Sequence, residues 1–146
     1  MRRSPASAAA TLALAACAAR AGVPIRVDPA REAAAARAVA EAFITLEARG
    51  DVAADTLLAP DADFINTGVV VTARPRLAAV IGPGEATVDG MRTQVAGELG
   101  WVVAVYRWTG DVGGEVGRGR VTMVLERGAA GWRIRHVHSS SVAPWE

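Results

Sequence analysis

The hydrophobic pattern of this chain changes period once. Between Asp28 and Arg49 the larger apolar residues Val39, Phe43 and Leu46 recur at spacings of four and three in an alanine-rich run, the repeat of an amphipathic helix. Asp28 and Pro29 suit its start, an aspartate to cap free amides and a proline at the first helical position, and Gly50 suits its end. Arg37 and Glu41 lie one turn apart on another face. A shorter helix is predicted over Asp51 to Leu58, stopped by Pro60. A first strand then covers Ala62 to Thr67, with Gly68 as a turn, and a third short helix runs from Pro75 to Val80 before Gly82-Pro83-Gly84 breaks the pattern.

From Thr87 onward the period is two. Strands are predicted over Thr87 to Glu98, Trp101 to Trp108, Gly117 to Arg127 and Gly131 to Ser141, separated by Leu99-Gly100, the glycine-rich Thr109 to Val116, and Gly128 to Ala130. Helices followed by hairpin-linked strands define an α+β domain. Strict alternation along the last strand puts Trp132, Ile134, His136, His138 and Ser140 on one face. That face turns from apolar to polar along its length, as the floor of a cavity would, and Arg133 and Arg135 project the other way. Trp101 and Trp132 read as core. Trp145, after Pro144, suits a cap on the domain or a contact between two copies.

The amino terminus has a different character. Arg2 and Arg3 precede an uncharged run from Ser4 to Ala19, shorter than the roughly 20 apolar residues of a membrane span, which reads as a secretory signal. Leu14-Ala15-Ala16-Cys17 resembles the lipobox of bacterial lipoproteins. That resemblance implies a signal peptide over residues 1–16, lipidation of Cys17 and a tether to residue 27. The folded domain then occupies 28–146, exported and anchored on the periplasmic or outer side of a membrane. Cys17 is the sole cysteine, so no disulfide forms within one chain.

Charge and composition narrow the function classes. All 16 basic residues are arginine, which excludes Schiff-base chemistry on a lysine. Without Arg2 and Arg3 the chain carries a net charge of −1, too balanced for a nucleic-acid binder. His136 and His138 are the acid-base candidates, with satisfied core or dimer-interface histidines as the alternative. Two histidines at i and i+2 also begin a metal site, for which Asp63 or Glu126 would be the first carboxylate to check, but no motif completes it. Arg120 shares a face with Thr122, Val124 and Glu126 and suits an anion clamp or an ion pair. Tyr106 and Trp108 share a side with Val102 and Ala104, as lining of an apolar cavity or as core. Ser139, Ser140 and Ser141 lack the strand-turn-helix elbow of a serine hydrolase.

Three segments carry a family resemblance. Phe43-Ile44-Thr45-Leu46-Glu47-Ala48-Arg49-Gly50-Asp51 looks like the helix ending in a Gly-Asp step, and Pro60-Asp61-Ala62-Asp63-Phe64 like the entry to the first strand, of the NTF2-like superfamily. Gly119 to Arg127 with Gly131 to Ser140 resembles its closing hairpin, especially in SnoaL-like and DUF4440-type members, and the His-x-His-x-Ser ending is similar to that of the association domain of calmodulin-dependent kinase II. The resemblance implies a cone-shaped curved sheet closed by the long helix around a pocket, and a homodimer. It also places Phe43 where ketosteroid isomerases carry a proton-donating tyrosine, and Asn66 or Thr67 where they carry the aspartate base, so that mechanism does not transfer. The expected function is binding of a small, partly apolar molecule, with His136, His138, Tyr106, Trp108, Arg120 and Asn66 lining the pocket and no cofactor required. The alternatives are an isomerase, cyclase or hydrolase using a pocket histidine, and a structural or partner-binding lipoprotein.

Overall fold

The computed structural model describes residues 28–142; the expected signal, Cys17, the expected tether and Trp145 lie outside the described residues. The first helix, α1 (Pro29–Ala48), starts where Asp28 accepts a hydrogen bond from the Ala30 amide at 3.0 Å, and ends ahead of Gly50, whose φ of 69° suits a residue without a side chain. Its buried stripe is Ala36, Ala40, Phe43, Ile44 and Ala48, with Val39 and Leu46 only partly covered. Small alanines let the helix lie close on the sheet, so the deepest contacts are rotated away from the Val39-Phe43-Leu46 line. Arg37 does not pair with Glu41; its Nη1 donates to the Met91 carbonyl at 3.0 Å.

The second predicted helix is a 3-10 helix over Val52–Leu57, capped by Asp51. Six strands follow: β1 (Leu58–Asn66), β2 (Val69–Val70), β3 (Gly84–Ala96), β4 (Leu99–Gly110), β5 (Val116–Gly128) and β6 (Gly131–Ser141). They form one sheet in the order β2-β1-β6-β5-β4-β3, antiparallel except for the parallel β1-β6 pair. The sheet curves around α1 without closing, and the fully buried Val102, Tyr106, Met123, Leu125, Ile134 and Val137 face the helix.

The third predicted helix does not form. Residues 75–80 make a single turn, with the Val80 amide donating to the Leu77 carbonyl at 3.1 Å. A six-residue helix is too short to nucleate alone, and its amides have other partners: Arg76 N–H donates to Glu47 Oε1 at 2.9 Å and Ala78 N–H to Ser139 Oγ at 2.9 Å. This turn drops Leu77 and Val80, 0% and 3% exposed, into the mouth of the cone.

Candidate functional site

A single extra residue decides where the histidines go. Val124 pairs with His136 and Leu125 with Ile134, so Arg135 has no partner on β5. Such a bulge shifts the alternation by one. Trp132 and Ile134 face the core before it, and Val137 and Ser139 after it, while His136, His138 and Ser140 turn to the outer face. Arg135 holds the bulge by a bidentate ion pair to Asp61, 2.8 and 2.6 Å, and a 3.3 Å contact to Glu126. Asp61, then Glu126, raises the pKa of this guanidinium further. The expectation that His136 and His138 share a face with Trp132 and Ile134, opposite Arg133 and Arg135, is therefore corrected.

The residues expected to line one pocket divide between two surfaces. Tyr106 and Trp108 point into the core at 0% and 2% exposure, and half-buried Asn66 pairs with Ser139 on the inward side of β1. His136, His138 and exposed Arg120 stand on the outer face. Trp101, expected in the core, is 43% exposed on that same outer face, because Val102 and Ala104 take the inward positions of β4. Trp132 is core, its indole N–H donating to the buried Glu32 carboxylate at 2.9 Å.

Inside, the Tyr106 hydroxyl accepts from the Ala79 amide and meets Ser139 Oγ, both at 3.3 Å. Burial raises the tyrosine pKa, offset by those hydrogen bonds. Tyr106 and Ser139 thus hold the 77–80 turn in place. Gly117 and Gly119 make the packing possible, since a Cβ on either would overlap the Ala79 carbonyl or the Tyr106 ring. Phe43 is buried against Phe64, ring centres 6.5 Å apart, and has no proton to give.

An ion cluster that hydrophobic periodicity does not reveal lies beside this turn. Glu47, fully buried on α1, receives Arg74 Nη1 at 2.8 Å and the Arg76 amide, and Asp55 receives Arg74 Nη2 at 2.8 Å and Arg76 Nη2. The Arg76 hydrogen bond, followed by attraction to both guanidiniums and opposed by some desolvation, lowers the Asp55 pKa below its ordinary 3.8. Arg76 also lies over the Phe64 ring at 4.8 Å. The available signals were an acidic residue on the buried stripe of a helix and two arginines flanking Pro75. Both carboxylates here are ion-paired, so the cluster is built for holding the loop.

Outside, His136 Nδ1 lies 2.8 Å from Asp63 Oδ1. Asp63 is one of the two carboxylates that a metal site on the histidines would need, but no group of three or more ligating side chains gathers among the described residues. The pair fixes the ring orientation and leaves Nε2 on the surface. Cavities of about 280 and 150 Å³ flank Gly82 and Pro83, the first lined by Trp108 and the second by Glu47 and Arg74. A larger groove of about 610 Å³ runs beside Trp101, Leu99 and Val124.

The SnoaL-like domain family model matches residues 36–144. The chain belongs to that family. No curated protein matches it. Among solved structures, the SnoaL-like chain resembles an NTF2-like protein with a cystatin-like fold from Novosphingobium aromaticivorans, at 16% identity and a TM-score of 0.63 over 80% of this chain and 85% of the other. It also resembles the S. rosetta CaMKII hub, at 23% identity and 0.58 over 81% of this chain and 100% of the other. A ketosteroid isomerase-like protein from Erwinia carotovora atroseptica gives 20% identity and 0.58 over 77% and 98%. At these identities the likeness establishes the SnoaL-like, NTF2-like architecture alone.

Proposed function

We propose that this SnoaL-like domain is an association module: an exported, lipid-anchored chain that works as a homodimer paired through the outer face of its sheet. The observation that carries this reading is the composition of that face. Two registered rows cross it, Val103-Thr122-His138-Ile65 and Trp101-Val124-His136-Asp63, a mixture of apolar and polar groups with a single carboxylate, Asp63, around one large aromatic. Arg107, Arg118 and Arg120 flank the rows on one side, where Asp89 offsets one of their charges, and Glu126 and Asp61 on the other, where Arg135 offsets one of theirs, so that one end keeps a net positive and the other a net negative charge. A two-fold axis through the rows brings each cationic end over an acidic end, the self-complementarity a symmetric dimer needs. Arg120 makes no ion pair among the described residues, which leaves its charge free for such a contact.

Trp101 is the anchor of this interface. Sedimentation equilibrium on the full chain in detergent should give two copies per particle, and Trp101→Glu should weaken association by at least ~2 kcal/mol, the cost of losing an aromatic hot spot. A single copy for the unaltered chain contradicts the reading. The anchor is tested separately: metabolic labelling with an alkynyl fatty acid should tag the chain and fail with Cys17→Ser.

Binding of a small, partly apolar molecule at the cone mouth is a second reading, favoured by the two hollows on either side of Gly82 and Pro83. The buried Trp108 indole N–H has no partner, so a ligand acceptor reaching it would satisfy a donor. In this reading the ligand replaces Leu77 and Val80, and Tyr106 and Ser139 exchange their loop amides for ligand oxygens. Native mass spectrometry of the full chain tests it: an added small-molecule mass supports occupancy, and an empty chain removes this reading while leaving association untouched.

A further inference from the structure

At the end of the cone opposite Gly82 and Pro83, a cleft of about 450 Å³ opens between the first turns of α1, the end of the 3-10 helix and the β5-β6 hairpin. Its size falls within the range of small-molecule sites. The floor is apolar, made by Val39, Leu57 and Trp132, with exposed Ala35 at its edge, and the rim carries Arg31, Arg127 and Arg133. Glu32 is the one acidic lining residue, and its Oε2 already receives the Trp132 indole at 2.9 Å and Arg127 Nε at 2.8 Å. Arg133 is held by backbone carbonyls, donating from Nη1 to Thr56 at 2.6 Å and Leu58 at 3.2 Å. No carboxylate among the described residues pairs with Arg31 or Arg133. One of the three rim charges is therefore compensated and two are not. The two uncompensated guanidiniums border a surface that wets poorly.

We propose that this cleft binds a free amphipathic monoanion, a carboxylate on a compact apolar body, with the carboxylate between Arg31 and Arg133 and the body on Trp132 and Val39. Planar guanidiniums match a carboxylate in both charge and shape, and the apolar floor discriminates against small inorganic anions. Glu32 keeps Arg127 and Trp132 in place and the Thr56 and Leu58 carbonyls keep Arg133, so these parts of the cleft are set before the ligand arrives. The site is independent of the sheet face assigned to dimer formation.

The test uses the full chain in phosphatidylcholine nanodiscs, titrated with 4-phenylbutyrate while the Trp132 indole N–H resonance is followed. Saturable movement is expected, with at least about tenfold weaker binding by the neutral 4-phenylbutanol and about tenfold weaker phenylbutyrate binding by Arg31→Gln, the loss of one charge-assisted hydrogen bond. Ala35→Phe, which fills the cleft from the exposed side of α1, should abolish the response while the other amide resonances keep the folded pattern. No movement of the Trp132 resonance, equal response to acid and alcohol, or unchanged binding by both variants overturns the proposal. So does a response to phosphatidylglycerol in the disc without one to phenylbutyrate, which would make the cleft a lipid headgroup contact.

Discussion

Tyr106 and Ser139 spend their polar atoms on the loop that covers them, and this is where single substitutions are most informative. Tyr106→Phe removes the acceptor of the Ala79 amide and should cost about 1–3 kcal/mol in denaturant unfolding, the penalty of a buried unsatisfied donor. It should also change the alkaline limb. A tyrosine whose folded pKa lies above its ordinary 10.0 contributes stability that is complete below pH 10 and lost as pH rises toward the folded value, so the variant should lose less stability there than the parent. Asp55 has the opposite sign. Its lowered pKa contributes stability present above the ordinary 3.8 and lost as pH falls toward the folded value, and Asp55→Asn should flatten the unfolding profile below pH 4. Gly119→Ala, which drives a methyl into the Tyr106 ring, should destabilise by about 1–3 kcal/mol or more, as overpacking does.

Among the elements, β6 and the 71–83 segment carry the account. Glu47 is the buried counter-charge that ties that segment to α1, and Glu47→Ala should cost about 1–3 kcal/mol, because it leaves the buried Arg76 amide without its acceptor and Asp55 as the remaining carboxylate for both Arg74 and Arg76. A melt followed by both far- and near-ultraviolet circular dichroism checks it. The β5-β6 hairpin was legible in the sequence because glycines mark it, Gly131 at φ 105° among them. The turn expected at Leu99-Gly100 instead lies two residues earlier, at Gly97 (φ 61°) and Glu98, since Gly97 adopts the positive φ that the turn requires and Leu99 and Gly100 belong to β4. The bulge at Arg135 was not legible, since no glycine or proline marks it and the force that keeps it is an ion pair to Asp61, 74 residues away. The same long-range logic hid the Glu47 cluster and displaced the helix expected over residues 75–80. Trp101 failed for a different reason: β4 is apolar on both faces, Val102 and Ala104 inward and Trp101 and Val103 outward, so alternation of polarity could not choose between them.

For the molecule as a whole, the bulge links the strand geometry to assembly. With it, both histidines and Trp101 stand on the outside of a sheet whose inside is filled by Leu77, Val80 and Tyr106; without it, His136 and His138 would face the core. The α+β architecture followed from the order of elements and the SnoaL-like resemblance from three segments of sequence, whereas the face on which the histidines stand depends on one unpaired residue. The most direct measurement is an isotope-filtered NOE experiment on a mixture of labelled and unlabelled full chain in detergent. Contacts from the Trp101 indole of one copy to the Val103 and Val124 methyl groups of the other are expected. Intermolecular contacts confined to α1, or none at concentrations where the particle holds two copies, would contradict the assignment of the outer face as the surface that joins them.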